Sequence, residues 1–389
     1  MQRKEFLLTS GMLLTTAMLA SYAMPRHGES DEVEDVQKVR RPNPDDFNEP
    51  VLKAITIGMN APNPHNTQAW KFKIVSAYET LLYVDEKKIL PATDPPARQI
   101  HIGCGSFIAI FKMGAASLGY DTEVEYLPDG EYAHHEIGNK PVAKLKLILR
   151  GVSSDPLYKH VYHRQTNRGI YFGELITETE FKEILRRANA NHCQLKLHND
   201  PSELPSLLEI LFKGMEVECH DRKAYDESRQ WFRVKSDIEE KRDGINLRTN
   251  GMKGLKRWIA ETVLSNYSEK VWHNESNIST YLKNYHEVVL SSKGVVTFLT
   301  ERNQQMDWLK CGEDFARFQM AAYDLGFVIQ PLSQVLQEFE SMKTLREEFT
   351  KRMLVADPAK IQMVVRIGRG NPMEYSYRKQ TKYLLIESK

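Results

Sequence analysis

The stretch Cys104-Gly105-Ser-Phe-Ile-Ala109-Ile-Phe111-Lys-Met113-Gly-Ala115-Ala-Ser-Leu118-Gly119-Tyr120 recurs without gaps as Cys311-Gly312-Glu-Asp-Phe-Ala316-Arg-Phe318-Gln-Met320-Ala-Ala322-Tyr-Asp-Leu325-Gly326-Phe327, 207 residues later (311 − 104). Eight columns are identical. In each copy a Phe, an Ala and a Leu fall at i, i+4 and i+7, one face of a helix. The closing Leu-Gly is a stop, because glycine takes the left-handed conformation that ends helices. A second pair follows in the same order: Lys144-Leu-Lys-Leu-Ile-Leu-Arg150 lies over Lys360-Ile-Gln-Met-Val-Val-Arg366. The chain therefore reads as a duplicated α+β protein, a pseudo-dimer whose halves each bury a central helix against an antiparallel-containing sheet.

Upstream of the first copy stands Ala61-Pro62-Asn63-Pro64-His65-Asn66-Thr67-Gln68-Ala69-Trp70-Lys71-Phe72. Two prolines make this a stiff loop, and the alternation from Trp70 to Ile74 starts a strand. Asn63, His65, Asn66, Thr67 and Gln68 are neutral donors and acceptors suited to a planar, heteroatom-rich ligand; they are equally the residues that shape turns. His65 reads first as such a loop-shaping hydrogen bonder. Between the halves lies Arg164-Gln165-Thr166-Asn167-Arg168, two guanidinium groups four apart that can grip a phosphate or a carbonyl-rich ring edge. Gln330-Pro331-Leu332-Ser333-Gln334 follows the second Leu-Gly helix, where a strand should end. Arg366-Ile-Gly368-Arg369-Gly370-Asn371, then Arg378-Lys379, suggest a phosphate seat after a strand.

With 389 residues the chain can bury a large core or hold two domains. Its net charge of +1 gives no global field for nucleic acid or anionic membrane. Cys104, Cys193, Cys219 and Cys311 are widely spaced, which disfavours zinc or a redox dithiol. His134-His135-Glu136 puts adjacent side chains on opposite faces, not in one metal site. No Walker loop, Gly-x-Ser-x-Gly or Gly-x-Gly-x-x-Gly occurs, so reactivity would come from a cofactor. Residues 1–23 read as an export signal, basic then apolar, with Arg3-Lys4-x-Phe6-Leu7 like a twin-arginine signal carrying one lysine. Export implies a periplasmic protein without a stable membrane span after signal removal. Residues 24–49 read as a linker, 50–155 as the first half and 156–389 as the second. A helical insertion around 221–290 has no counterpart in the first half and could cap a pocket.

This set of motifs, in this order over residues 50–379, resembles the FMN-binding nitroreductase superfamily, and most closely its Acg-like tandem-duplicated branch. The resemblance implies FMN at the seam between the halves. Arg164, Thr166, Asn167 and Arg168 would hold its phosphate or pyrimidine edge. Pro331, Leu332 and Ser333 would line the ring, and Arg378 would lie near the phosphate. Pro62, Asn63, Asn66 and Gln68 would come from the first half. Arg40-Arg41-Pro42-Asn43 and the 188–193 segment look like degenerate counterparts, so one site per chain is expected. Asn63, Pro64 and Ala69 depart from the usual family pattern. The implied activity is hydride transfer through flavin N5 to a small organic acceptor, in a monomer, with no side chain nominated as catalytic. The alternative is a non-catalytic protein that sequesters FMN.

Overall fold

The structure, a computed structural model, describes residues 40–251, 257–258, 261–262 and 269–387. The expected export signal lies outside the described residues, as do parts of the insertion. The helices labelled here are α1 (Pro50–Gly58), α2 (Arg98–Ser117), α3 (Glu178–Ala188), α4 (Leu204–His220), α5 (Arg222–Gln230), α6 (Glu275–Leu290), α7 (Gln305–Asp324) and α8 (Lys343–Arg352). The strands are β1 (Trp70–Ser76), β2 (Glu79–Val84), β3 (Tyr120–Tyr126), β4 (Ala143–Leu149), β5 (Tyr171–Phe172), β6 (Gln194–His198), β7 (Val295–Thr300), β8 (Val328–Pro331) and β9 (Lys360–Gly370). The first sheet runs β1-β2-β4-β3 and the second β5-β9-β7-β6, with β8 also on β9; every pairing between these strands is antiparallel.

The repeated stretches become α2 and α7, which pack directly on each other at the centre of the molecule. Gly105 and Gly312 sit at their crossing, where an added Cβ would fall 1.9 Å from the Leu309 carbonyl oxygen and 2.0 Å from that of Ile102. Only glycine lets two backbones approach so closely. Ser106 Oγ donates to the Gly312 carbonyl at 2.9 Å across the same contact. Both helices stop at glycines with left-handed backbone, Gly119 (φ +85) and Gly326 (φ +74). Arg98–Ser117 is long and apolar enough to cross a membrane, but most of it is buried in this core.

The two β4/β9 equivalents differ in covering. In β4, Lys144 and Lys146 alternate with buried Leu145 and Leu147, as in a sheet with one wet face. In β9, Ile361 to Ile367 are all buried. A second apolar cluster explains this: Leu207, Leu211 and Tyr285 of α4 and α6, with Phe349 of α8, pack with Val364 on the far face. The insertion is thus a layer of the second half.

Both ends of the described chain cross between the halves. Residues 40–49, read from the sequence as the end of a linker, are docked. Arg40 pairs with Glu374 at 3.0 Å, and Arg41 donates to Asn60 Oδ1 at 3.0 Å. Residues 381–386 return from the second half to the first sheet, where Ile386 N donates to Phe72 O at 2.8 Å.

Candidate functional site

After α1 the chain turns through Pro62 and Pro64 into one short 3-10 turn, Pro64–Asn66. His65 (φ 47), Asn66 (φ 54) and Gln68 (φ 50) all have left-handed backbone. Each such residue costs on the order of 1 kcal/mol or more and persists only where its surroundings fix it. The fixing contacts are visible. Asn63 Oδ1 accepts from Gln68 N at 2.8 Å. Arg378 donates to Met59 O (2.8 Å), Ala61 O (3.3 Å) and Asn66 Oδ1 (2.7 Å). Gln68 Nε2 donates to Arg242 O at 2.8 Å, and its Oε1 accepts from Lys379 N at 2.8 Å. Asn66 Nδ2 donates to Gly244 O and Tyr377 O, both at 3.2 Å. The amides of Asn63, Asn66 and Gln68, and the Arg378 guanidinium, therefore hold the loop, the 242–244 turn of the insertion and the C-terminal segment together.

Arg164 reaches this seam from the other half. It is 3% exposed, and donates through Nη1 to Asn60 O (3.0 Å) and through Nε to Gln319 Oε1 (2.9 Å). Arg41 is 4% exposed and shares Asn60 with it. Arg378 is buried within electrostatic reach of both. Half-buried Arg168 stands among Tyr171, Tyr281 and Tyr285. None of these four guanidinium groups has a carboxylate within ion-pair distance among the described residues. Burial, reinforced by Arg41 and Arg168, pushes Arg164 down to about 9, and burial pushes Arg41 down to about 10. A guanidinium keeps its proton regardless, so the strain stays as unneutralised buried charge. Arg41, read from the sequence as part of a degenerate copy, belongs to this cluster. The signal was there, in two adjacent arginines before a proline, but nothing local says which one turns inward.

The remaining predicted residues sit on the second half's wall of the seam. Thr166 bridges to Ile329, and Asn167 N donates to Ile329 O at 3.0 Å. Asn167 Nδ2 donates to Asn371 O at 2.7 Å, an internal tie. Pro331 ends β8, and Leu332 and Ser333 are buried against Val364, with Leu332 N donating to its carbonyl at 2.8 Å. Arg366, offered by the sequence as part of a phosphate seat, has no such freedom. It stacks on Tyr171 at 3.7 Å and donates to Gln330 Oε1 (2.9 Å), Val288 O (2.7 Å) and Gly169 O (2.7 Å). Arg369 caps the end of α7 through the carbonyls of Leu325 and Gly326, both at 3.3 Å.

The pseudo-symmetric position, between α3 and β6, is neutralised. There Arg317 of α7 donates to Ala188 O, and Asp155 pairs with it at 2.7 Å. Backbone N–H groups of Asn191, His192 and Cys193 all donate to the Asp314 carboxylate. A hollow of about 480 Å³ lies alongside, lined by Lys112, Ser153, Asp155 and Arg317, and these charges are paired. One end of the helix pair therefore has excess buried positive charge and the other carries its own acids.

No protein-family model matches the sequence. The chain is 30% identical over 79 residues to "Putative NAD(P)H nitroreductase acg" of Mycobacterium tuberculosis, which is 20% of this chain and 24% of that protein. It is 30% identical over 96 residues to Rv3131 of the same organism, described in the same words, covering 24% of this chain and 28% of that one. The matches thus span about a quarter of these relatives. Among solved structures, an FMN- and NADPH-dependent nitroreductase NfnB from a Sphingopyxis strain is 12% identical over 60% of this chain and 99% of its own, with a TM-score of 0.37. A Bacteroides fragilis nitroreductase with bound FMN is 13% identical over 58% and 95%, with a TM-score of 0.32. Over these stretches the chain is similar to proteins described as putative NAD(P)H nitroreductases.

Proposed function

We propose that the chain is a flavoprotein of the tandem-duplicated Acg-like kind, holding one FMN at the seam beside loop 62–68 and acting as an oxidoreductase on a small organic acceptor. The observation that carries this reading is the cluster of Arg41, Arg164 and Arg168 without a carboxylate among the described residues, beside Arg378, whose donors are already taken by the loop and the C-terminal segment. Buried charge is retained only when compensated, and a flavin phosphate supplies the missing anion. The fit extends to orphaned buried atoms at the same seam, Arg41 Nε and His65 Nδ1, which have no partner among the described residues.

In this reading Arg164 and Arg168 bind the phosphate or the pyrimidine edge, with Arg41 completing the positive field. Thr166 and Asn167 fix the backbone that carries them. Leu332 and Ser333, pinned to β9, offer a rigid wall, and loop 62–68 closes the first-half side and excludes water. Bound FMN supplies the chemistry, hydride acceptance and donation at N5. The nicotinamide-linked descriptions of Acg and Rv3131 support a nicotinamide donor.

A second reading, sequestration of FMN without turnover, is favoured by the clamp over the loop: Gly244 N donates to Asn66 O at 3.2 Å, and Arg242 O and Lys379 N hold Gln68. The absorption spectrum of the purified full chain, followed by NADH and NADPH oxidation with a nitroaromatic or quinone acceptor, tests both. One flavin per chain with turnover supports the oxidoreductase. Bound flavin that no donor reduces supports sequestration. A colourless chain unable to take up FMN removes both readings.

A further inference from the structure

His65 is held from one side only. Its Nε2 lies 3.3 Å from Ser228 Oγ, and that hydroxyl donates to Glu218 Oε1 at 2.8 Å. Ser228 comes from α5 of the insertion and Glu218 from the last turn of α4, just before it, and both are buried. A serine hydroxyl has one proton. With that proton given to Glu218, the oxygen can only accept from His65, so Nε2 carries the hydrogen and Nδ1 is a lone pair. This holds whether or not the free oxygen, Glu218 Oε2, is protonated. Nδ1 points from the opposite edge of the ring, is buried and has no partner among the described residues. Burial, and secondarily the Arg168 charge, push the imidazole down to about 4, so it stays neutral. The residue is also held at φ 47, a backbone region a histidine enters only under constraint.

We propose that Glu218 and Ser228 act as positioning residues that lock His65 in its Nε2–H tautomer, so that Nδ1 accepts a hydrogen bond from an N–H or O–H group of the ligand in the seam. The proposal rests on the flavin reading above, and it gives the insertion a binding role. The acceptor excludes a ligand that presents only carbonyl or phosphate oxygens to this edge.

The test uses the full chain with FMN as probe. Nitrogen-15 NMR of the histidine-labelled apoprotein should show His65 protonated at Nε2, with the Nδ1 signal moving upfield when FMN is added. His65→Phe should weaken FMN binding about tenfold, the scale of one lost hydrogen bond. Glu218→Leu, which frees the Ser228 proton to point at Nε2, should weaken it similarly and protonate Nδ1 instead, whereas Glu218→Gln, which keeps an acceptor for Ser228, should restore both readouts. A proton on Nδ1 in the wild type overturns the proposal without any variant having to fold. So does wild-type FMN affinity in His65→Phe, which leaves the flavin reading intact. A wild type that binds no FMN removes the flavin reading itself.

Discussion

The crossing of α2 and α7 gives the sharpest test of how the halves are joined. Gly312→Ala places a methyl carbon 2.0 Å from Ile102 O and 2.8 Å from Ser106 N; Gly105→Ala places one 1.9 Å from Leu309 O. These neighbours are backbone and cannot rotate away. Ordinary contact begins near 3.4 Å, so the helices must part by about 1.4 Å (3.4 − 2.0) where they touch. On an exposed helix Gly→Ala stabilises by about 1 kcal/mol through backbone entropy. Here overpacking costs about 3 kcal/mol, the upper end for a core insertion, because no side chain can yield. Loss of the Ser106–Gly312 bond adds about 1 kcal/mol. The net expectation is about 3 kcal/mol of destabilisation for either variant. Gly103→Ala, on the same helix but with its nearest neighbour at 3.2 Å, should stay within about 1 kcal/mol of the wild type. Urea unfolding followed by circular dichroism measures all three. If Gly312→Ala and Gly105→Ala unfold at the wild-type midpoint with an unchanged slope, the backbone-on-backbone crossing is wrong.

Arg164→Ala combined with Arg168→Ala should abolish flavin retention while leaving a cooperative unfolding transition; flavin retained at one per chain would remove the second-half assignment. Asp155→Ala, which strips Arg317 of its acid, should leave the count at one flavin per chain, since the Asp314 carboxylate still occupies the equivalent loop; a second bound flavin would contradict that account. Stability should fall with acid. Burial holds His101 and His198 near 4 as it does His65, against 6.5 unfolded, so the unfolded chain takes up protons first as pH drops from 6.5 to about 4. Asp94 opposes this, because burial raises its carboxyl to about 7 and the folded state binds that proton first; Asp94→Asn should therefore steepen the acid loss in urea midpoints between pH 6.5 and 4. For residues 1–23 we propose export, and a mature periplasmic chain beginning near residue 24, read by mass spectrometry, is the expected outcome.

Where sequence and structure part company, the cause is distance along the chain. The loop's prolines announce rigidity, and its amides read as ligand-binding groups. Asn66 and Gln68 bond to residues 242–244 and 377–379, partners more than 170 positions away that no local pattern identifies. Arg366 looked like a phosphate ligand because strand, glycine and arginine make one elsewhere; here five-donor geometry meets enough carbonyls to be satisfied in place. Arg41 reads from the sequence only as part of a degenerate copy, because burial without a counter-ion is a property of its surroundings.

By itself the sequence determined the duplication, the two central helices with their glycine stops, and which strand each half repeats, because helix period, glycine's left-handed freedom and alternating burial are written into consecutive residues. Only the tertiary structure decided which arginines are buried without an acid among the described residues, the feature on which the proposed site rests. That depends on where charges end up relative to one another: Arg164 meets the Asn60 carbonyl and the Gln319 amide oxygen, whereas Arg317 of α7 meets Asp155. Electrostatic compensation is a through-space sum over both halves, and it exists only once the chain has folded.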